Sequence, residues 1–234
     1  MGLADLHIHT IFSYDGTASV PAVLNRARQL GLNVIAITDH DEITGSLQAL
    51  ELAPAYGIEV IPGIEITTAE GDLLALNVTE KVERDRPLVE TVLKVAELGG
   101  FCIAPHPMAG GFGMKSLSAY SIMKALRNRT VARTLIGIEI YNATAIDRMS
   151  NHYARILGEH LSVAKLGNSD AHVTEAIGLG MTEFEGYTAH DLLKSIRAGK
   201  TSIQKKKEWN AVHILGSWAA NYVASKFTRL VNPA

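Results

Sequence analysis

At 234 residues, with 47% hydrophobic and 20% charged side chains, the chain has enough apolar material for one sizeable core and an ordinary globular balance. A formal net charge of -2 excludes an overall basic footprint for nucleic acid, and the single cysteine, Cys102, excludes an intrachain disulfide framework. No run of about 18 apolar residues predicts a transmembrane helix, and residues 1–10 lack a basic leader, so a cytoplasmic globular domain is expected.

The chain opens on Asp5-Leu6-His7-Ile8-His9, where ligand-type residues alternate with aliphatic ones at the period of a β-strand. Residues two apart on a strand point the same way, so His7 and His9 can lean towards one ion while Leu6 and Ile8 pack on the opposite face. Asp15-Gly16-Thr17 reads as a turn, and Ser19 and Pro21 start a helix that Gly31 stops. The run Val34-Ile35-Ala36-Ile37 predicts a strand covered on both faces, delivering Thr38-Asp39-His40-Asp41 at its end. A helix over 45–56 and a strand over 59–64 follow, the latter leading to Glu65.

Glu70-Gly71-Asp72 forms a turn before a strand at 73–78, and a helix over 87–98 ends at Gly99-Gly100. Phe101–Ala104 is a strand leading into Pro105-His106-Pro107 and a glycine-rich loop, Met108–Met114. Then come a helix at 118–128, a strand at 135–141 bearing Glu139 and ending at Asn142, and a helix at 145–161. A strand at 163–166 runs into Gly167-Asn168-Ser169-Asp170-Ala171-His172, and a short strand at 181–185 precedes a helix at 189–198. This alternation argues for one domain with a parallel α/β sheet, a barrel favoured over an open sheet. The tail from Lys205 is set apart as residues 205–234, a basic and amphipathic helical segment against the 1–204 domain or a partner, including a second copy of the chain.

Collected at strand ends, His7, His9, Asp15, His40, Glu65, His106, Asp170 and His172 form an imidazole and carboxylate set without thiolate, suited to Zn, Fe or Mn. They exceed what one tetrahedral site needs, so two or three divalent transition metal ions sharing bridging carboxylates are expected. The remaining histidines, His152, His160, His190 and His213, fall in predicted helices or at their starts and are expected to be surface or core residues.

Taken in order, Asp-x-His-x-His, Thr-Asp-His, Gly-x-Glu, Pro-His-Pro and Ser-Asp-Ala-His resemble the PHP (polymerase and histidinol phosphatase) family, over Asp5 to His172. The chain is most similar to its stand-alone metal-dependent phosphoesterases. The resemblance implies a distorted (β/α)7 barrel with a trinuclear metal centre at the C-terminal ends of the strands. It also implies that His7, His9 and Asp170 hold one ion, that Glu65 bridges to a second that takes His106, and that Asp15, His40 and His172 hold the third. Relatives carry a histidine about ten residues after the bridging glutamate, within Gly-His-Leu-Leu. This chain has Gly71-Asp72-Leu73-Leu74, which makes Asp72 either a substitute oxygen ligand or a turn residue.

The expected reaction is hydrolysis of small phosphate esters, monoesters or nucleotides, by a metal-bound hydroxide, with Asp170 and His172 at the reacting centre. Asp5 and Asp39 are expected to stand behind the imidazoles, and Glu139 and Asn142 to touch substrate or support ligands. The loop at 108–114 and Lys115, Lys124, Arg127, Arg129 and Arg133 are candidates for phosphate contacts. The rival readings are a phosphodiesterase or short-oligonucleotide nuclease, a C–N or ester hydrolase, and a non-catalytic, metal-stabilised interaction module. The 6% aromatic content makes stacking platforms scarce and favours small substrates.

Overall fold

The computed structural model describes residues 1–110, 115–145, 148–205, 215–223 and 225. The first half runs β1 (Gly2–Asp5), α1 (Val20–Leu30), β2 (Val34–Ile35), α2 (Thr44–Leu52) with a 3-10 turn at Ala53–Tyr56, β3 (Glu59–Val60), β4 (Gly63–Thr67), β5 (Asp72–Leu76), α3 (Leu88–Glu97) and β6 (Phe101–Ala104). The second half runs α4 (Ala119–Ala125), α5 (Arg129–Thr134), β7 (Leu135–Asn142), α6 (Arg148–Glu159), β8 (Ala164–Asn168), β9 (Gly180–Phe184), α7 (Ala189–Arg197) and β10 (Thr201–Lys205). The strand expected at 59–64 is split by Pro62, and the single helix expected at 118–128 gives way to α4 and α5, the latter capped by Asn128.

The strands form two five-stranded mixed sheets, ordered β10-β9-β1-β2-β3 and β4-β5-β6-β7-β8. The expectation of a parallel sheet is corrected, since both sheets are mixed; the strand ladders alone do not close into the expected (β/α)7 barrel. The turn at residues 68–71 is too short for a parallel crossover, which needs about a dozen residues, so β4 and β5 pair antiparallel. β5 pairs antiparallel with β6, and β9 with both β1 and β10. No continuous ladder joins the sheets among the described residues. They meet through two isolated parallel bridges, Ile8 with Ala171 and His40 with Glu65.

Those bridges explain where the first motif lies. β1 ends at Asp5, and the following residues run between the extension of β2 and the end of β8: Thr38 N–H donates to Ile8 O at 2.9 Å, His9 N–H to Ala171 O at 2.9 Å and Ala171 N–H to His7 O at 3.3 Å. Likewise Asp41 N–H donates to Glu65 O at 2.8 Å, and Glu65 N–H to Asp39 O at 3.2 Å. Both histidine-bearing segments therefore run along the seam between the sheets, in extended chain just past the strands predicted to carry them.

Burial holds this arrangement. Ala4, Leu6, Val34 and Ala36 of the first sheet's strands and their extensions share one buried cluster with Leu74, Leu76, Ile103 and Leu166 of the second. Full burial of each Leu or Ile side chain contributes about 1.5–3 kcal/mol. Outside it, α1 and α2 cover Ile8, Ile35 and Ile37, while α3, α4 and α5 cover Ile64, Ile66, Leu73 and Ile138. No described helix is long and apolar enough to cross a membrane.

Candidate metal centre

The seam supplies four overlapping groups of donor atoms, the atoms of each lying within 4.8 Å of one another: His7, His9 and Asp170; His7, Glu65 and His106; His9, Asp15, His40 and His172; and His40, Glu65 and Asp72. Every metal-ligand candidate of the sequence is brought together here. His9 joins the Asp15 side as well as the Asp170 side, a sharing that the sequence did not indicate. Among the described residues His152, His160 and His190 join no such group; His213 lies outside the described residues.

Glu65 is the hub. Its Oε2 is 3.1 Å from His7 Nε2, 3.2 Å from His9 Nε2 and 3.3 Å from His40 Nδ1, and its Oε1 is 3.2 Å from His106 Nε2. Asp170 Oδ1 lies 3.2 Å from His9 Nε2 and 3.4 Å from His7 Nε2. Asp15 Oδ2 is 3.0 Å from His172 Nε2 and 3.4 Å from His40 Nε2. Asp170 (φ 55°) and His106 (φ 27°) both sit at positive φ, backbone that L side chains adopt at a cost and that clusters at functional sites.

Electrostatics follow from this packing. Burial opposes ionisation of Glu65, yet His7 and His40 beside it hold its carboxyl well below the usual range. Asp170 and Asp15 are likewise held low against burial, by His7 and His9 in one case and His172 and His40 in the other. Burial also works against charge on the imidazoles, but the carboxylates outweigh it and raise His7, His9, His40, His106 and His172. Asp72 is pushed up to about 6 by burial and by the Glu65 charge, with His106 and His40 opposing.

The donor set fits transition metal ions. Both ring nitrogens of His9, His40 Nδ1 and Asp72 Oδ1 are buried without a hydrogen bond. His9 Nε2 and His40 Nδ1 stand close to carboxylate oxygens but out of line for hydrogen bonding. Buried polar atoms are normally paired, and cations within the donor groups would satisfy His9 Nε2, His40 Nδ1 and Asp72 Oδ1. Asp72 is therefore aimed into the cluster as well as starting β5.

Support comes from residues only partly foreseen. Glu139 Oε1 is 2.9 Å from His7 Nδ1, which leaves Nε2 facing Glu65 and Asp170. Glu139 also accepts from the His106 and Asn168 amides, and Asn142 Nδ2 donates to Asp170 Oδ2 at 3.0 Å. Asp5 and Asp39, expected to orient imidazoles, instead hold backbone. Asp5 accepts from the Ser169 and Gly178 N–H groups at 3.0 and 2.9 Å and so fixes the loop bearing Asp170 and His172. Asp39 accepts from Thr10 N–H and Oγ1–H at 2.6 and 2.7 Å.

Sequence reasoning missed Ser13, whose hydroxyl donates to Asp15 Oδ1 at 2.6 Å, and Ser116, 3.1 Å from His106 Nδ1. It also missed Asn168 as a buried prop, although its place in the polar run after β8 was a signal. Gly16 is obligatory in the Asp-Gly pair because a Cβ there would strike the Thr10 backbone. Of the phosphate-contact candidates, Lys115 adjoins Asp72 through a backbone hydrogen bond, whereas Arg129 and Arg133 lie on α5, at the end of β7 remote from Asn142. Residues 111–114 of the glycine-rich loop lie outside the described residues.

Comparison with known proteins adds the following. The PHP domain model matches residues 5–216. An uncharacterized protein of Methanocaldococcus jannaschii is 35% identical over 161 residues, covering 64% of this chain and 88% of that one. A 5'-3' exoribonuclease of Haemophilus influenzae is 29% identical over 184 residues, covering 77% of this chain and 58% of that protein. Among solved structures, a candidate metal-dependent phosphoesterase from Bifidobacterium adolescentis matches with a TM-score of 0.62 at 17% identity, over 84% of this chain and 96% of that one, a likeness of fold.

Proposed function

The chain belongs to the PHP domain family, and on that premise we propose that it is a metal-dependent phosphoesterase hydrolysing small phosphate esters, monoesters or nucleotides. The observation that carries the reading is the convergence of five imidazoles and four carboxylates on one seam, with neither nitrogen of a fully buried His9 hydrogen-bonded. His7, His9 and Asp170 would hold one ion, Glu65 and His106 a second with His7, and Asp15, His40 and His172 a third with His9; Asp72 adds an oxygen beside His40 and Glu65. Such ions, Zn, Mn or Fe by donor chemistry, activate water at neutral pH and neutralise charge on phosphoryl oxygens.

The protein's own groups do the rest. Asp170, kept ionised and steadied by Asn142, offers Oδ1 towards the interior as acceptor for the proton of the attacking water. His172 stands at the more open side, where the ester enters. Glu139 holds the His7 ring in one orientation, so that Nε2 faces Glu65 and Asp170. Water replaces the alcohol on phosphorus, giving free alcohol and phosphate.

The catalytic domain is assigned to residues 1–204 and the tail to 205–234; the tail's exposed Leu215 and Val223 make it the candidate contact for a second copy. The exoribonuclease relative supports a second reading, cleavage of phosphodiesters in short oligonucleotides; this chain spans 58% of that protein's length. A metal-reconstituted screen of monoesters, nucleotides, diesters and short oligonucleotides separates the two. Asp170→Asn is expected to abolish turnover with the fold intact, and retained turnover removes Asp170 from the mechanism. Purified, unchelated protein without transition metal would overturn the reading itself.

A further inference from the structure

Tyr14 is the residue between the loop hydroxyl Ser13 and the candidate ligand Asp15. Its ring stacks on the His40 imidazole at 4.9 Å between centroids and 20° between planes, yet the residue is 61% exposed. One face of the tyrosine is thus committed to a metal-site imidazole, and much of the rest of the side chain meets solvent at the more open side of the cluster. The loop is not left to wander. Trp218 Nε1–H donates to Asp15 O at 2.9 Å, and the Trp218 ring stacks on Tyr222 at 4.9 Å and packs with Phe12 against the core under α1. The C-terminal helix therefore pins the loop that presents Tyr14. A large aromatic that is 61% exposed, held against a candidate ligand and fixed by a long-range tether, is placed where an incoming ester meets the cluster.

We propose that Tyr14 determines specificity by stacking the nucleobase of a phosphate ester whose phosphate lies at the metal cluster, so that the preferred substrates are nucleotides or the ends of short oligonucleotides rather than sugar phosphates. This rests on the phosphoesterase reading and narrows it. The low aromatic content of the chain is no obstacle, because the one ring that matters stands at the mouth of the site.

The test compares adenosine 5'-phosphate with ribose 5-phosphate, which share phosphate and ribose and differ only in the base, using metal-loaded wild type, Tyr14→Ala and Tyr14→Phe. Wild type is expected to favour the nucleotide. Tyr14→Ala should raise KM for the nucleotide about 5- to 150-fold relative to that for ribose 5-phosphate, the range set by base–aromatic stacking. Tyr14→Phe should keep the preference. A 5'-phosphorylated dinucleotide in parallel shows whether the base belongs to a mononucleotide or to a chain end. Equal loss on both substrates, with a fall in bound metal, would mean that Tyr14 only steadies His40 and would overturn the proposal, as would a wild type indifferent to the base. If neither ester is hydrolysed, calorimetric binding of the same pair decides. Tyr14-dependent binding of the nucleotide upholds the stacking role while the hydrolase reading falls, and equal or absent binding ends both.

Discussion

The cluster has a deep side and an outer side, and they are built differently. His7, Glu65 and His106 have side chains 0, 1 and 4% exposed; His7 is hydrogen-bonded to Glu139 on β7, and His106 to Ser116 in the chain before α4. Asp15, His40 and His172 are 19, 11 and 24% exposed, and their support comes from loop groups: Ser13, the Asp170 carbonyl and a tryptophan more than 200 residues away in sequence. Rigid strands can hold ions permanently. Loops can admit a substrate and let a product go, at the cost of weaker metal retention. Glu65 and His9 belong to both sides and couple them.

The comparison is broken most directly at the hub. Glu65→Gln should empty the cluster and lower activity by at least about 100-fold, since even residues that merely support ligands are worth about 10–100-fold. Elemental analysis checks it; wild-type metal content would mean that the carboxylate is not shared. Glu139→Gln tests the deep side alone. It should weaken metal affinity about 10–100-fold without unfolding the chain, and an unchanged affinity would show that the His7 ring needs no partner. Asp15→Asn tests the outer side and should cost one ion per chain while the others stay; loss of all of them would erase the distinction between sides.

Asp72→His should tighten the ion held with His40 and Glu65, and unaltered occupancy would leave residue 72 outside the coordination. The smallest effect is expected from Trp218→Phe, which removes one hydrogen bond to the Asp15 loop, worth about 0.5–1.5 kcal/mol. It should appear as a lower melting temperature and faster loss of the outer ion only.

Acidity sharpens the same picture. All five imidazoles are raised in the metal-free chain by the carboxylates beside them. Ligation needs neutral nitrogen, so metal uptake releases protons and apparent affinity climbs as pH rises through the raised imidazole values. A raised imidazole pKa contributes stability that is whole below about 6.5 and is lost as pH rises through the folded value. Asp72 and Asp5, both pushed up to about 6, act in the same direction between about pH 4 and 6. The metal-free protein should therefore lose stability towards alkaline pH while the loaded protein holds it. Calorimetric titration in two buffers and melting curves with and without chelator measure both signs.

Much of the site was legible because its residues stand at the ends of strands that composition and period reveal: His7 and His9 by alternation, His40 after a β-branched run, Glu65 after Pro62-Gly63, and Asp170 and His172 after β8. What sequence could not show is which backbone each carboxylate meets. Asp5 and Asp39 look identical to imidazole partners until Ser169, Gly178 and Thr10 are seen to occupy them. The sheet pairing was misjudged for a related reason. Strand and helix alternation suggests parallel order, yet the tight turn at Glu70-Gly71 makes β5 antiparallel to both neighbours, and β10 (Thr201–Lys205) is too polar and exposed to announce itself as a strand. Tyr14 and Trp218 stayed silent because their partners are set by tertiary contact.

The seam also has a consequence for the order in which the protein is made. Ala171, which bridges to Ile8, and Asp170, which meets His9, are synthesised more than 160 residues after the first histidine pair. At about 5–20 residues per second, that is an interval of roughly 8–33 s. Through it His7 can gather with Glu65 and His106 of the same nascent chain, but the group that needs Asp170 cannot form. The groups that include Asp170 and His172 are thereby completed last, by a chain that has been synthesised past β8.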